Sequence, residues 1–116
     1  MTPFPDLLGA EPIHFTPPRR PPPRKLADIL RATCRVFSIT MSELTGQQRH
    51  RTVSVPRHIA MWLATKHTEM SLPQIARHFN KRDHTTVMYA RRKIEWLRLS
   101  DPAVGAAIKR IREEMA

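Results

Sequence analysis

The fold of this chain is decided by residues 72–94, which read LPQIARHFNKRDHTTVMYARRKI. Ser71, just before them, and Gln74 have the spacing of a capping box, so we expect a helix to begin here. This helix should end near Phe79, because Asn80 and the two basic residues after it have the composition of a tight turn. A short helix followed by a tight turn is the first half of a helix-turn-helix motif.

A second helix is predicted after the turn. Asp83 is suited to cap its first turn, and the apolar residues that follow recur at helical spacing. These apolar residues are Val87, Ala90, Ile94 and Leu97. The first turn itself is polar and consists of Asp83, His84, Thr85 and Thr86. Such a helix start can present hydrogen-bonding side chains to base edges in the major groove of DNA.

The same stretch resembles a known protein family. Residues 75–94, with the central run Lys81-Arg82-Asp83-His84-Thr85-Thr86-Val87, closely resemble the signature of the C-terminal DNA-binding domain (domain IV) of the bacterial replication initiator DnaA. The resemblance continues upstream through Arg49-His50-Arg51 and residues 56–61, and it covers the chain from about residue 26 onward. It implies an all-α helix-turn-helix bundle of about six helices, of the Trp-repressor-like type, that binds double-stranded DNA as a monomer.

The charge of the chain points to a polyanionic partner. The 116 residues carry a net charge of +10, and the pI is near 11.3. Residues 47–93 contain ten Lys and Arg against two acidic residues, so most of the excess positive charge lies around the predicted helix-turn-helix. This distribution favours nucleic acid over an anionic membrane surface. We expect duplex DNA in preference to single strands, because the aromatic residues Trp62, Tyr89 and Trp96 fall inside predicted helices and are expected in the core.

The predicted base contacts lie in both grooves. In the major groove, Asp83 can accept from a cytosine amino group, His84 can donate, and Thr85 and Thr86 can offer hydroxyl and methyl groups. The resemblance adds Leu72 and Pro73, at the start of the preceding helix. Arg49 matches the arginine that enters the minor groove in DnaA, and Arg51 stands two residues later in what we expect to be an extended loop, residues 47–55. That spacing suits a narrow A·T-rich minor groove.

The predicted phosphate contacts surround this reader. They are Arg57, His58, Lys66, Thr68, Lys81, Arg82, Arg92 and Lys93. Arg57 and His58 are expected in the first turn of a helix, which is a favourable place for phosphate.

The chain departs from the family pattern at several of these positions. His58 stands where the family has Gln, so this contact is expected to depend weakly on pH near neutrality. Thr65 stands where the family has Lys or Arg, and the neighbouring Lys66 is rotated by roughly 100° on the helix, which puts its phosphate contact in doubt. Asn80 and Lys81 replace family glycines; Asn tolerates a positive φ, and Lys81 adds a cation.

The remaining helices are predicted from spacing and caps. We expect helices over residues 25–37, over residues 41–44 after a Thr40 cap, and over residues 56–67. The second helix of the helix-turn-helix should continue to about residue 99, and a last helix should begin at Pro102 after an Asp101 cap. In the helix that begins at Pro56, Ile59, Ala60, Leu63 and either Met61 or Trp62 are expected to face inward. Gly46 is expected to end the 41–44 helix in left-handed geometry.

Residues 1–24 are predicted to be a flexible, Pro-rich basic arm, and residues 25–116 to be the helix-turn-helix domain. Eight of the eleven prolines lie in residues 1–23, where they disfavour regular helix. The basic end of the arm can lie along phosphates, but the favoured interpretation is that the arm is only a solvated tether. An alternative remains open, in which the arm binds a protein and the chain is an adaptor of the replication machinery with only non-specific DNA binding.

Several function classes are not indicated by the sequence. It contains no G-x-x-x-x-G-K-[ST] phosphate loop and three glycines in all, so we expect no nucleotide, no ATPase activity and no enzyme. The six histidines lack metal-ligand spacing, so no metal or other cofactor is expected. The single cysteine, Cys34, and the lack of a signal or membrane segment favour a cytoplasmic, nucleoid-associated protein. The predicted function is binding at DnaA-box-like sites, which would regulate replication initiation or transcription by occupying or competing for these boxes.

Overall fold

The computed structural model describes residues 24–81 and 83–115. Its elements are α1 (Arg24–Phe37), α2 (Met41–Leu44), α3 (Arg51–His67), α4 (Leu72–His78), α5 (Thr85–Ser100) and α6 (Pro102–Met115). The prediction of an all-α fold of about six helices is confirmed for the described residues. The predicted arm lies outside them, apart from Arg24, which is the first residue of α1.

Helix α3 is the centre of the fold. It packs against α1, α2, α4 and α5, and α6 packs on α1 and α5. A helix covered on several sides must be apolar on most of its faces, and ten of the seventeen residues of α3 are buried. The predicted inward-facing residues Ile59, Ala60 and Leu63 are confirmed, and both Met61 and Trp62 join them in the core.

The start of α3 differs from the prediction. We expected a loop up to Val55 and a helix from Pro56, but α3 begins at Arg51 and contains Pro56 in its second turn. Pro56 has no N–H to donate to the carbonyl four residues earlier, which normally disfavours an interior position. The helix forms nevertheless because Val53, Val55 and Pro56 are buried, and burial of apolar side chains outweighs a local preference. Arg51 therefore lies in a helix and not in an extended loop.

The turns use positive φ angles at two non-glycine residues. These are Ser38, with φ 55°, and Asn80, with φ 60°. The tolerance expected of Asn80 is thus confirmed. The left-handed geometry predicted for Gly46 is wrong, since its φ is not positive. Gly46 is needed for a different reason: a Cβ atom there would lie 2.8 Å from the carbonyl oxygen of Ser42.

The predicted helix caps form as reciprocal hydrogen bonds. Thr40 Oγ1 accepts from the Glu43 N–H at 3.1 Å, and Glu43 Oε1 accepts from the Thr40 N–H at 2.9 Å. Ser71 and Gln74 make the same pair of bonds, at 3.3 and 2.8 Å. The capping box predicted at Ser71 and the cap predicted at Thr40 are confirmed, and the structure adds Glu43 to the Thr40 cap as a second capping box. Each box satisfies backbone donors that the helix itself leaves unpaired.

The aromatic residues do not all lie in the core. Trp62 is 2% exposed, as predicted, but Tyr89 is 57% exposed and Trp96 is 68% exposed. Helix α5 buries Val87, Ala90 and Ile94, and the positions of Tyr89 and Trp96 fall on other faces of the helix. The prediction that all three aromatic residues are core residues was wrong for two of them.

The packing of α5 can be tested by substituting Ile94. Ile94→Ala removes a fully buried side chain and should lower the free energy of unfolding by about 2 to 5 kcal/mol. Leu99→Ala on the same helix is the matched control, because Leu99 is 77% exposed, and the change should stay within about 0.5 kcal/mol. Urea unfolding followed by circular dichroism measures both. Equal losses for the two variants would contradict the described packing.

Candidate nucleic-acid interface

The first turn of α5 presents polar side chains to solvent. Asp83, His84 and Thr85 are exposed, and Thr86 is half-buried. The N-cap is His84, one residue later than predicted, yet the Asp83 carboxylate still caps the helix because its Oδ1 accepts from the Thr85 N–H at 2.9 Å. Backbone and side-chain hydrogen bonds from Thr85 hold the pKa of Asp83 below its usual value, and the nearby His84 lowers it to a lesser extent. Asp83 is therefore an ionised acceptor at neutral pH.

Helix α4 supports the first turn of α5 through its packing. Ile75, Ala76 and Phe79 are buried against the core, so α4 is held firmly beside α5. Pro73 is exposed in the first turn of α4, and Leu72 is half-buried beside it. Proline is tolerated there because the first turn of a helix has no partner for its N–H.

Arg49 lies in the short segment between α2 and α3. Its side chain is exposed, and the segment is not helical, as predicted. Arg51 is also exposed, but it is the first residue of α3. The single extended loop that was expected to carry both arginines is therefore confined to the residues before Arg51.

Arg57 does not face solvent, which corrects the prediction that it contacts phosphate. The residue is 3% exposed, and its guanidinium donates to three backbone carbonyls. They are those of Leu44 at 2.7 Å, Gln48 at 2.6 Å and Glu43 at 2.8 Å. Burial lowers the pKa of Arg57, but guanidinium groups remain charged in proteins. Arg57 is a structural clamp between α3 and the segment that carries Arg49, and each of its three guanidinium nitrogens already donates inside the protein.

The burial of Arg57 had a signal in the sequence. Arg57 lies three residues before Ala60, which was already predicted to face inward, and residues three apart share one face of a helix. A charged residue on that face needs buried acceptors. Which carbonyls supply them depends on the path of the chain before α3, and the helical pattern does not contain that information.

We name the polar start of α5, residues 83–86, the reading edge. Cationic side chains lie in the turn before it and further along α5. Lys81 is half-buried, and its pKa is lowered by burial and then by the nearby charges of Arg57 and Arg49. Lys93 Nζ lies 5.6 Å from the centroid of the Tyr89 ring, and Arg92 is exposed. Like charges held close together repel each other, and a polyanion bound over them would relieve this repulsion.

His58 lies among these cations in its neutral form. Its ring packs edge-on against Tyr89, with centroids 5.7 Å apart, and its Nδ1 is buried without a hydrogen-bond partner. Burial, and then the charges of Lys93, Arg57 and Lys81, lower the pKa of His58 to about 4. This low pKa does not support the predicted pH dependence near neutrality, because it leaves the imidazole uncharged at pH 7.

Two of the predicted phosphate contacts are engaged within the protein. Lys66 Nζ pairs with Glu95 Oε2 at 3.0 Å, and Thr68 Oγ1 donates to the Ala64 carbonyl at 2.7 Å. Lys66 is nine residues beyond Arg57, so the two Cα atoms are about 14 Å apart along α3. The structure does not bring Lys66 together with the cations near Arg49. Arg82, another predicted phosphate contact, lies outside the described residues.

Glu95 links α5 to α3 near Lys66. Besides Lys66, its carboxylate accepts from Trp62 Nε1 at 2.8 Å and from Arg98 Nε at 3.0 Å. The hydrogen bonds from Trp62, Lys66 and Arg98 lower the pKa of Glu95 to about 2. The basic residues at this end of α5 are thus paired with a carboxylate, unlike Lys81.

Within residues 24–81 and 83–115, no group of three or more His, Cys, Asp and Glu side chains could hold a metal ion. No helix in this part of the chain is long and apolar enough to cross a membrane.

The described surface has the features of a helix-turn-helix DNA-binding domain. A capped helix start with exposed polar side chains follows a short helix and a tight turn, and the turn and α5 also carry exposed arginines and half-buried lysines. The model of one protein family, described as bacterial dnaA protein helix-turn-helix, matches residues 26–94. The chain belongs to this family.

Relatives of known name agree with this assignment. The chain is 41% identical over 88 residues to the chromosomal replication initiator protein DnaA of Caulobacter sp. (strain K31), which covers 76% of this chain and 18% of the relative. It is 46% identical over 78 residues to the DnaA of Caulobacter vibrioides (strain NA1000 / CB15N), covering 67% and 16%. It is 39% identical over 111 residues to the DnaA of Sphingopyxis alaskensis, covering 95% and 24%. The chain thus spans about a quarter or less of each of these relatives.

The clamp role of Arg57 predicts a loss of stability when its geometry is changed. Arg57→Lys keeps the charge but cannot span three carbonyls, so the free energy of unfolding should fall by about 2 to 4 kcal/mol. Chemical denaturation measures this, with Arg91→Lys on the exposed surface of α5 as the control. Unchanged stability together with weaker DNA binding would instead restore Arg57 to the phosphate contacts.

The depressed pKa of His58 predicts a pH-dependent stability. Between the pKa of about 4 in the folded chain and the usual value of 6.5, the unfolded chain binds the extra proton. The stability contributed by neutral His58 is therefore present above pH 6.5 and is lost as the pH falls toward 4.

Substitution of His58 isolates this effect. The wild-type protein should lose more stability than His58→Gln between about pH 7 and pH 5, by less than about 2 kcal/mol because the ring is partly exposed and its charge is screened. Denaturant midpoints at each pH measure the difference, and above pH 7 the two proteins should run parallel. Identical slopes below pH 6 would contradict a neutral His58 in the folded protein.

Proposed function

We propose that this chain binds double-stranded DNA sequence-specifically at DnaA-box-like sites. By occupying or competing for such boxes it would regulate replication initiation or transcription. The observation that carries this proposal is the exposed, capped first turn of α5, with Asp83, His84 and Thr85 open to solvent, together with an exposed Arg49 in the segment before α3. The membership of the chain in the DnaA helix-turn-helix family supports the choice of target.

In the proposed complex, α5 enters the major groove with its N-terminal turn. The ionised Asp83 accepts from a cytosine N4 amino group, and His84 donates to an acceptor edge. Thr85 and Thr86 offer hydroxyl groups to bases and methyl groups to thymine. Leu72 and Pro73 approach the same duplex from the start of α4, so that two helix starts meet one stretch of groove.

The minor groove is assigned to Arg49. A narrow A·T-rich minor groove has an enhanced negative potential that attracts an inserted arginine. Arg51 follows Arg49 on the first turn of α3, where it can reach the adjacent backbone. The two grooves are thus contacted by a single folded unit, and we propose that it binds as a monomer.

The phosphate contacts are assigned to Lys81, Arg92 and Lys93, with the neutral His58 as a hydrogen-bonding neighbour. Arg57 is left out because its donors are used inside the protein. Phosphate contacts hold the register of the protein on DNA and carry no sequence information themselves.

Removing the Thr85 side chain tests the major-groove reading. Thr85→Ala should cost about 1 to 3 kcal/mol on a DnaA-box duplex and narrow its gap from a scrambled duplex. Fluorescence anisotropy at fixed salt measures both affinities. If the variant discriminates as well as the wild-type protein, α5 is not the reader.

Arg92→Ala is the matched control on the same helix. Loss of a phosphate contact should weaken both duplexes alike and reduce the slope of log affinity against log salt by roughly one unit. Equal affinity of the wild-type protein for the two duplexes would count against sequence-specific binding and favour the adaptor, in which DNA binding is only non-specific.

A further inference from the structure

The segment that carries Arg49 is hydrogen-bonded to the turn of the helix-turn-helix. Gln47 Nε2 donates to the Asn80 carbonyl at 2.7 Å, and Lys81 Nζ donates to Gln47 Oε1 at 3.1 Å. In the opposite direction, Asn80 Nδ2 donates to the Thr45 carbonyl at 2.7 Å. These three bonds join parts of the chain that are more than thirty residues apart in sequence.

The turn is a rigid partner for these bonds. Asn80 has φ 60°, its N–H donates to the Arg77 carbonyl at 3.1 Å, and the Lys81 N–H donates to the Ala76 carbonyl at 2.9 Å. These two bonds, together with the left-handed conformation of Asn80, form a Schellman motif, which ends α4 in a defined direction. The Asn80 carbonyl and side chain are therefore aimed by the helix end itself.

The Arg49 segment is held just as closely on the other side. Gln48, the residue before Arg49, gives its carbonyl to Arg57, and His50, the residue after it, accepts from the Val53 and Ser54 N–H groups at the start of α3. Arg49 is two residues from Gln47, so their Cα atoms are at most about 7 Å apart. A shift of Gln47 must therefore move the backbone from which Arg49 projects.

The positive charges around Lys81 explain why the uncharged amide of Gln47 is suited to this position. Lys81 is close enough to Arg57 and Arg49 for their charges to depress its pKa, and this repulsion acts to separate the turn from the segment. The Gln47 amide supplies one donor and one acceptor, so it can meet the Asn80 carbonyl and the Lys81 ammonium together. It does so without adding negative charge to a surface proposed to face phosphates.

We infer that Gln47 and Asn80 are positioning residues that set the distance between the minor-groove arginine, Arg49, and the major-groove reader at the start of α5. This inference rests on the proposed function. A protein that must reach two adjacent grooves at once gains specificity only if both contacts are held in register. The hydrogen bonds of Gln47 and Asn80 connect the segment that carries Arg49 to the turn that precedes α5.

A double-mutant cycle tests whether Gln47 acts through Arg49. The affinities of the wild-type protein, Gln47→Ala, Arg49→Ala and the double variant are measured on a DnaA-box duplex and a scrambled duplex at fixed salt. Gln47→Ala should weaken binding to the box by about 3- to 10-fold, the range expected for loss of one or two hydrogen bonds. The scrambled duplex should change by less than about 2-fold, and in the Arg49→Ala background the Gln47 effect should nearly vanish.

Two further variants separate positioning from stability. Gln48→Ala is the matched control, because it removes an exposed glutamine side chain next to Gln47 and keeps the carbonyl that Arg57 binds. It should bind like the wild-type protein. Asn80→Gly retains a residue that accepts positive φ but deletes the bond to Thr45, and it should reproduce the loss on the box. Unfolding midpoints are measured for each variant, so that a loss of folded protein is not counted as a loss of affinity.

The outcomes are distinguishable. If the wild-type protein prefers the box but the losses for Gln47→Ala and Arg49→Ala simply add, Gln47 does not position Arg49 and this inference falls while the proposed function stands. An equal loss of Gln47→Ala on both duplexes, or no loss at all, also overturns it. If the wild-type protein shows no preference, the proposed function fails and this inference fails with it.

Discussion

The structure depends on one buried cation. The guanidinium of Arg57 is almost completely removed from water, and a buried charge is tolerated only when its donors are satisfied. Three carbonyls from the end of α2 and the segment after it meet this requirement. This segment has no regular structure of its own between Thr45 and His50, so the clamp largely determines its path. Since Arg49 projects from the same segment, the clamp also determines where the proposed minor-groove contact begins.

Two further groups of charges lie near opposite ends of α5. Near the C-terminal half of α5, Lys66 and Arg98 share the carboxylate of Glu95, which also accepts from Trp62, and these bonds join α3 to α5. Near the reading edge, Lys81 is held by the neutral amide of Gln47. Cations that are paired inside the protein stabilise its fold, whereas cations held by neutral groups keep their attraction for an external polyanion. This division favours the reading edge as the face that meets phosphate.

The sequence predicted the fold well where the decisive information is local. The cap at Thr40, the capping box at Ser71 and the turn at Asn80 require residues within four positions of each other, and all three form as expected. Predictions failed where burial overrode a local rule. Proline disfavours helix interiors, which predicts a helix start at Pro56, but the burial of Val53 and Val55 extends α3 back to Arg51. Tyr89 is predicted in the core because it is an aromatic residue inside a helix, but it faces solvent.

The sequence by itself determined the family, the helix-turn-helix and the cationic character of residues 47–93, because these follow from residue types at short spacing. Only the tertiary structure decided what individual polar side chains do. In the folded chain Arg57 is a clamp, His58 is neutral, and Gln47 bridges Asn80 and Lys81. Each of these roles depends on groups brought together from distant parts of the chain. The physical reason is that solvation and hydrogen-bond partners are set by the surroundings of a side chain in space, and spacing along a helix specifies only which face it occupies.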